Sequence, residues 1–136
     1  MNDVDPTHRD LPSFAFGDSP ALADELLALV IAGRKTATCM TPDETNLSSP
    51  GERWIVRDGR GRAACVIETT EITVRRFDEV DAAFAHDEGE GDRTLAWWRN
   101  AHRTYFGRLG TFSEDMTLIC ERFRLIEVVS TAGEPR

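Results

Sequence analysis

The stretch Gly33-Arg34-Lys35-Thr36-Ala37-Thr38-Cys39 closes an amphipathic helical run, opens a threonine-rich one, and holds an unusual residue between them. Lys35 is the only lysine in the chain, and the remaining basic charge rests on fifteen arginines. A guanidinium stays protonated and serves neither as a base nor as an amine nucleophile, whereas a lysine can do both. An amine beside Arg34 and partly desolvated is expected to have its pKa lowered by both effects, which makes Lys35 a candidate catalytic group. The alternative is an ordinary helix-end lysine that interacts with the last carbonyls and the negative end of the helix dipole.

Upstream, Ser19 suits an N-cap and Pro20 the first helical position. Leu22, Leu26, Leu29 and Val30 recur at helical spacing, and Gly33 is a fitting stop, so the pattern predicts a helix over 20–32. Downstream, Thr36 to Thr41 suits a strand. Because a regular strand would turn Lys35 and Thr38 to opposite faces, the two share a site only if the backbone bends near Lys35.

Pro42 to Gly51 reads as a polar loop, with Asn46, Ser48, Ser49 and Pro50, placed to act as a flap over a pocket. Trp54 to Arg57 is a predicted strand, Asp58-Gly59-Arg60-Gly61 a hairpin turn, and Arg62 to Phe77 a long strand. In that strand the apolar positions are odd at first (Ala63, Cys65, Ile67) and even later (Ile72, Val74), so a bulge or bend is expected around 68–71. Asp78 is expected to cap a short helix to Ala85, with Val80, Ala83 and Phe84 inward. His86-Asp87-Glu88-Gly89-Glu90-Gly91-Asp92 reads as an acidic loop. Asp92 then caps a predicted helix over 93–107 whose Leu95, Trp98, His102, Tyr105 and Phe106 share one face and whose Trp97 does not. Met116 to Val129 is the last predicted strand.

A chain of 136 residues, 40% hydrophobic and 29% charged, is expected to form one soluble domain over 14–129, with polar tails at 1–13 and 130–136. Residues 1–12 read as a loosely held tail or an edge segment. Neither a membrane-length apolar run nor a signal peptide is recognised, so a cytoplasmic location is expected. Cys39, Cys65 and Cys120 are far apart in apolar runs and read as reduced core residues. A net charge of −8 counts against coating nucleic acid through a broad basic face, although it permits a local nucleotide pocket. The order of elements points to an α+β domain built on a small bent, mostly antiparallel sheet or barrel flanked by helices.

The opening stretch resembles the Gly-x-Lys-x-x-Thr signature of the ASCH (activating signal cointegrator homology) domain, of the PUA-like β-barrel superfamily. Pro50-Gly51-Glu52 with Trp54-Ile55-Val56, Cys65-Val66-Ile67-Glu68-Thr69-Thr70, Glu88-Gly89-Glu90-Gly91-Asp92 and Cys120-Glu121-Arg122-Phe123 are similar to further segments of the same group. The resemblance implies a PUA-like barrel and an RNA, nucleoside or nucleotide ligand held between barrel and first helix. It also implies deacylation of an acylated cytidine or, in other members, metal-dependent RNA cleavage, against the alternative of a non-catalytic reader. Carried over by position, it assigns catalysis to Lys35, Thr38 and Glu88, with Glu90 a second carboxylate in a longer, more acidic loop. Arg34, Thr36, Glu90 and Trp97 are expected to touch the ligand, Arg34 at a phosphate and Trp97 by stacking.

Amide hydrolysis needs a nucleophile, a base and an oxyanion donor. Thr38 can supply the hydroxyl, Lys35 the base or donor, and Glu88 the group that orients Lys35 or holds a water. Taken alone, Thr38 is also an ordinary strand residue and Glu88 a solvated loop charge. His86, Asp87, Glu88, Glu90 and Asp92 offer ligands for a hard cation but match no metal spacing, so no metal and no cofactor is expected. His102 reads as a hydrogen-bonded core or cleft residue.

Overall fold

The computed structural model describes residues 4–43 and 47–129. Strands β1 (Ser13–Phe14), β2 (Ala37–Met40), β3 (Arg53–Arg57), β4 (Ala63–Arg76) and β5 (Thr117–Val128) combine with helices α1 (Pro20–Ile31), α2 (Ala82–Glu88) and α3 (Leu95–Arg108). The sheet has the order β1-β3-β4-β5-β2. Three pairings are antiparallel and β1–β3 is parallel. This is an α+β fold, and the sheet remains open. The expected barrel closure is corrected by its edges: β1 and β2 lie at opposite ends of the strand order and share no ladder.

Helix α1 begins where the sequence places it. The Ser19 hydroxyl accepts from the Leu22 N–H at 3.1 Å, and Gly33, at φ +77°, lets the chain leave the helix in a left-handed turn. The parity change in β4 is a bulge: Thr69 faces Phe123, Glu71 faces Arg122, and Thr70 is the extra residue between them. Three other boundaries move. Phe77–Glu79 is a 3-10 turn, and Asp81 rather than Asp78 caps α2 by accepting from the Phe84 N–H. Ala83 is exposed and Ala85 buried, because the helix starts later and runs on to Glu88. Thr94 caps α3, while Asp92 sits two residues earlier and accepts from the Thr94 N–H and hydroxyl.

One sheet face packs on α1 through Leu26, Leu27, Val30, Trp54, Val56, Cys65, Ile67 and Phe123. The opposite face meets α2 and α3 through Phe77, Phe84, Trp98, Phe106, Leu118 and Cys120. At its other end that face is covered by the N-terminal segment, where Val4 packs with Ile55, Val66 and Val129. Residues 4–12, expected as part of a loosely held tail or an edge segment, thus lie against the sheet. His8 is bonded to Glu127 through Nδ1 at 2.7 Å and to the Arg53 guanidinium through Nε2 at 2.9 Å. Asn46 of the expected flap, residues 1–3 and the tail at 130–136 lie outside the described residues. No helix among the described residues is long and apolar enough to cross a membrane.

Removing residues 1–9 uncovers Ile55 and Val66 and takes His8 from Glu127, so it is expected to cost on the order of 2 kcal/mol or more. Urea unfolding of the truncated and full chains measures this. An unchanged midpoint would show that the segment merely rests on the sheet.

Candidate functional site

A cavity of about 810 Å³ opens beside the edge strand β2. The helices from the two sheet faces meet past that edge, α1 giving Leu22, Leu26 and Leu29 and α3 giving Trp97, Ala101 and Tyr105. Thr38 and Cys39, adjacent on β2 and so on opposite faces, both border the cavity. This is how Lys35 and Thr38 come to line one space. Lys35 lies just before β2, where Arg34 N–H and Lys35 N–H both bond back to the Leu29 carbonyl. Along α3 the border runs from Trp97 to Arg108, roughly 16 Å at 1.5 Å per residue.

Lys35 is 1% exposed and Glu88 likewise 1%. The Lys35 ammonium donates to Glu88 Oε1 at 3.0 Å, to Glu90 Oε2 at 2.8 Å and to the Glu88 carbonyl at 3.3 Å. Glu88 Oε2 accepts from the Trp98 indole at 2.8 Å and lies 3.7 Å from His102 Nε2. His102 stacks on Trp98 with centroids 4.2 Å apart, and its Nδ1 meets the Trp98 carbonyl. A carbonyl only accepts, so Nδ1 carries a proton.

The bend that brings two glutamates to one ammonium is local. Gly89, Gly91 and Arg93 all have positive φ, which folds the chain back after α2 so that Glu88 and Glu90 face the same group. A Cβ on Gly89 would run into the Arg34 carbonyl. Arg34 itself donates to the carbonyls of Gly89 at 2.9 Å and Gly91 at 3.0 Å. It is thus a brace for the loop as well as a residue of the cavity border. Thr36 is tied to the Asp87 carbonyl through its N–H at 2.7 Å and is not on the border. Trp97 lies over Gly91 and borders the cavity.

The expected lowering of the Lys35 pKa is corrected. Burial alone would lower it, but the charges of Glu88 and Glu90 and their hydrogen bonds outweigh that and push it up, so Lys35 is an ammonium throughout the ordinary pH range. Arg34, expected to repel it, points into the loop instead. For Glu88, burial acts upward, yet Lys35, His102 and Trp98 hold it at about 2. Glu90 is raised, by burial first and by the Glu88 charge, against the pull of Lys35. With all three ionised the cluster carries one negative charge in excess.

The acidic stretch does not converge on a cation. Asp87 pairs with Arg122, Asp92 with Thr94, and Glu88 and Glu90 with Lys35. Cys39, Glu88 and His102 do bring one ligand atom each within 4.8 Å of one another. Both Glu88 oxygens are already engaged there, and burial together with the Glu88 charge pushes the Cys39 thiol up, away from the thiolate a metal needs. Sequence reasoning placed His102 in the core or cleft but missed its stacking and its approach to Glu88. It passed over Glu121, although a carboxylate sharing strand parity with Phe123 is a signal of an inward-facing charge.

A family model described as ASCH domain matches residues 12–127. An ASCH domain structure from Lactobacillus crispatus is similar over 89% of this chain and 82% of its own, with 30% identity and a TM-score of 0.79. A protein from Enterococcus faecalis is similar over 86% and 77%, with 32% identity and a TM-score of 0.77. An ASCH structure from Zymomonas mobilis shares the fold at 12% identity, over 87% of this chain and 71% of its own, with a TM-score of 0.56. Among curated proteins no relative matches.

Lys35→Met leaves two buried carboxylates facing each other and is expected to cost about 3–5 kcal/mol at pH 7. Burial disfavours the charged form of both carboxyls, and without Lys35 the main force opposing it is gone, so the penalty belongs to the ionised forms. It shrinks as acid neutralises them. Urea unfolding at pH 7 and pH 5 checks this. A variant as stable as the parent at pH 7, or one that loses more at pH 5, would contradict the pairing.

Proposed function

The chain belongs to the ASCH domain family, and from that premise we propose that its cleft binds a nucleoside or short RNA segment and hydrolyses an amide on a modified base, as in an acylated cytidine. The observation that carries this reading is the fixed Lys35 ammonium in a cavity that Thr38 and Trp97 also border. Trp97 offers a π-face on which a base can stack. Asn100, Thr104 and Arg108 follow along α3 as polar groups for sugar and phosphate. Glu90, bonded to Lys35 through Oε2 and on the cavity border, suits the exocyclic N–H groups of a base.

In the hydrolytic step Thr38 supplies the hydroxyl that attacks the acyl carbon. Lys35, permanently charged, acts as the oxyanion donor rather than as the base. Its 3.3 Å bond to the Glu88 carbonyl is the longest of its three and is the one an oxyanion displaces. Glu88 orients Lys35 and is itself fixed by Trp98. The positive charge that a metal would bring to such a reaction is already present in Lys35.

Incubating the protein with acylated nucleosides and short RNAs, followed by mass analysis, is expected to show loss of the acyl group. That loss is expected to be unchanged by EDTA and abolished in Thr38→Ala. Activity that vanishes in EDTA and returns with magnesium or manganese would favour metal-dependent RNA cleavage. Binding without any product would make the protein a reader.

A further inference from the structure

A second cavity, of about 120 Å³, adjoins the first and shares Phe16, Gly17, Thr38, Cys39 and Tyr105 with it. At ~30 Å³ per water it has room for about four. Among the described residues its one carboxylate is Glu121, 5% exposed. Thr38 and Glu121 are directly opposed in the β2–β5 ladder, so their side chains stand on the same sheet face with Cβ atoms ~5 Å apart.

Glu121 is held from behind by an ordered chain. The Trp54 indole donates to the Ser48 hydroxyl at 2.9 Å, that hydroxyl meets Thr69 Oγ1 at 2.7 Å, and Thr69 Oγ1 donates to Glu121 Oε2 at 2.8 Å. Because Thr69 spends its one proton on Glu121, Ser48 must donate to Thr69, and every proton in the chain points toward the carboxylate. Oε2 is thereby fixed, and Oε1 takes no hydrogen bond among the described residues. No ion pair engages Glu121 there either, unlike Glu88 and Glu90. The cleft still needs a proton acceptor, since Lys35 stays protonated and both Glu88 oxygens are engaged.

Resting on that reading, we propose that Glu121 is the general base of the cleft, taking the proton of the Thr38 hydroxyl as it attacks the acyl carbon. The oxygen–carbon bond forms, the carbon–nitrogen bond breaks, and the proton passes to the leaving amine, giving an acyl-threonine ester. Water from the small cavity then attacks the ester, Glu121 takes its proton and returns it to the Thr38 oxygen, and a carboxylic acid leaves. Burial, together with the charge of Glu52, keeps Glu121 above the usual carboxylate range despite Thr69, which improves its match to neutral pH. The Glu52 carboxylate acts on it from the loop before β3, and the Tyr105 phenol borders the small cavity. Glu25, Lys35, Cys39, Glu88, Glu90 and His102 line the main cavity.

The test uses the acylated cytidine hydrolysed by the full chain. Glu121→Gln, which still accepts from Thr69, is expected to lose ~10²-fold or more in kcat with KM within about twofold. The acid limb of the wild-type pH–rate profile should vanish in Glu121→Gln and persist in Glu90→Gln. In Glu121→Ala, added formate should restore part of the rate, an effect no structural role produces. Circular dichroism and thermal melting verify that each variant is folded, and Thr69→Val, expected to lower kcat less, serves where Glu121→Ala is not. Turnover that Thr38→Ala abolishes but Glu121→Gln keeps within threefold, or absence of formate rescue in a folded Glu121→Ala, would overturn the Glu121 assignment alone. No turnover by the wild-type protein would overturn the hydrolytic reading and this assignment together.

Discussion

A lysine ammonium removed from water is tolerated only with partners, and Lys35 takes two carboxylates and a carbonyl. Such a cluster is a weak source of net stability, because the desolvation of three charges offsets much of their attraction. Its effect is positional. The ammonium ties the start of β2 to the end of α2. Glu88 passes the constraint to α3 through Trp98, and Thr36 and Arg34 repeat the link between the same segments with main-chain partners. Three elements separated in sequence are thus fixed by one charge, at the place where the cavity needs fixed donors.

The sheet order makes the cavity possible. A central strand would have divided α1 from α3, but β2 is an edge, and the helices approach each other beyond it. An edge strand is normally a liability because its free ladder invites another strand. Here the space beside it is walled by aromatic and aliphatic side chains and lined with a few polar groups, as small-molecule clefts are. The local character of that cleft departs from the net charge of −8, which excludes a broad basic face but does not govern a pocket built around one ammonium and bordered by Arg34 and Arg108.

What could be read from the sequence was whatever depends on neighbours in the chain. Ser19, Pro20 and Gly33 mark the ends of α1 because capping is a matter of four or five residues. The switch of apolar parity revealed the Thr70 bulge because each strand records its own facing. The ammonium at Lys35 was found by its rarity, yet the direction of its pKa shift depends on Glu88 and Glu90, more than fifty positions away. A neighbour in sequence, Arg34, gave the wrong sign because its guanidinium is drawn off by the carbonyls of a left-handed turn. Glu88 read as a loop charge because Gly89 looked like loop punctuation, whereas it ends a helix whose last residue is buried. The open edge between β1 and β2 was equally out of reach, since closure of a sheet is decided by tertiary spacing rather than by the pattern of any strand.

The carboxylates around Thr38 then divide by environment rather than by type. Glu88 is surrounded by donors, and its charge is satisfied so fully that it has no affinity left for a proton near neutrality. Among the described residues Glu121 has one hydroxyl donor, little exposure and no ion pair, so its charged form is comparatively costly and it retains affinity for a proton. Where a fold pushes the pKa values of neighbouring acids apart, the depressed one serves as fixed charge and the raised one as the proton carrier. Glu90 is bonded to Lys35 yet raised by its burial and by the adjacent Glu88, and so is the member of the ion cluster that gives up its charge most readily. An incoming ligand that offers N–H donors to that side of Lys35 would relieve the excess negative charge of the cluster while leaving the Thr38–Glu121 side free for proton transfer.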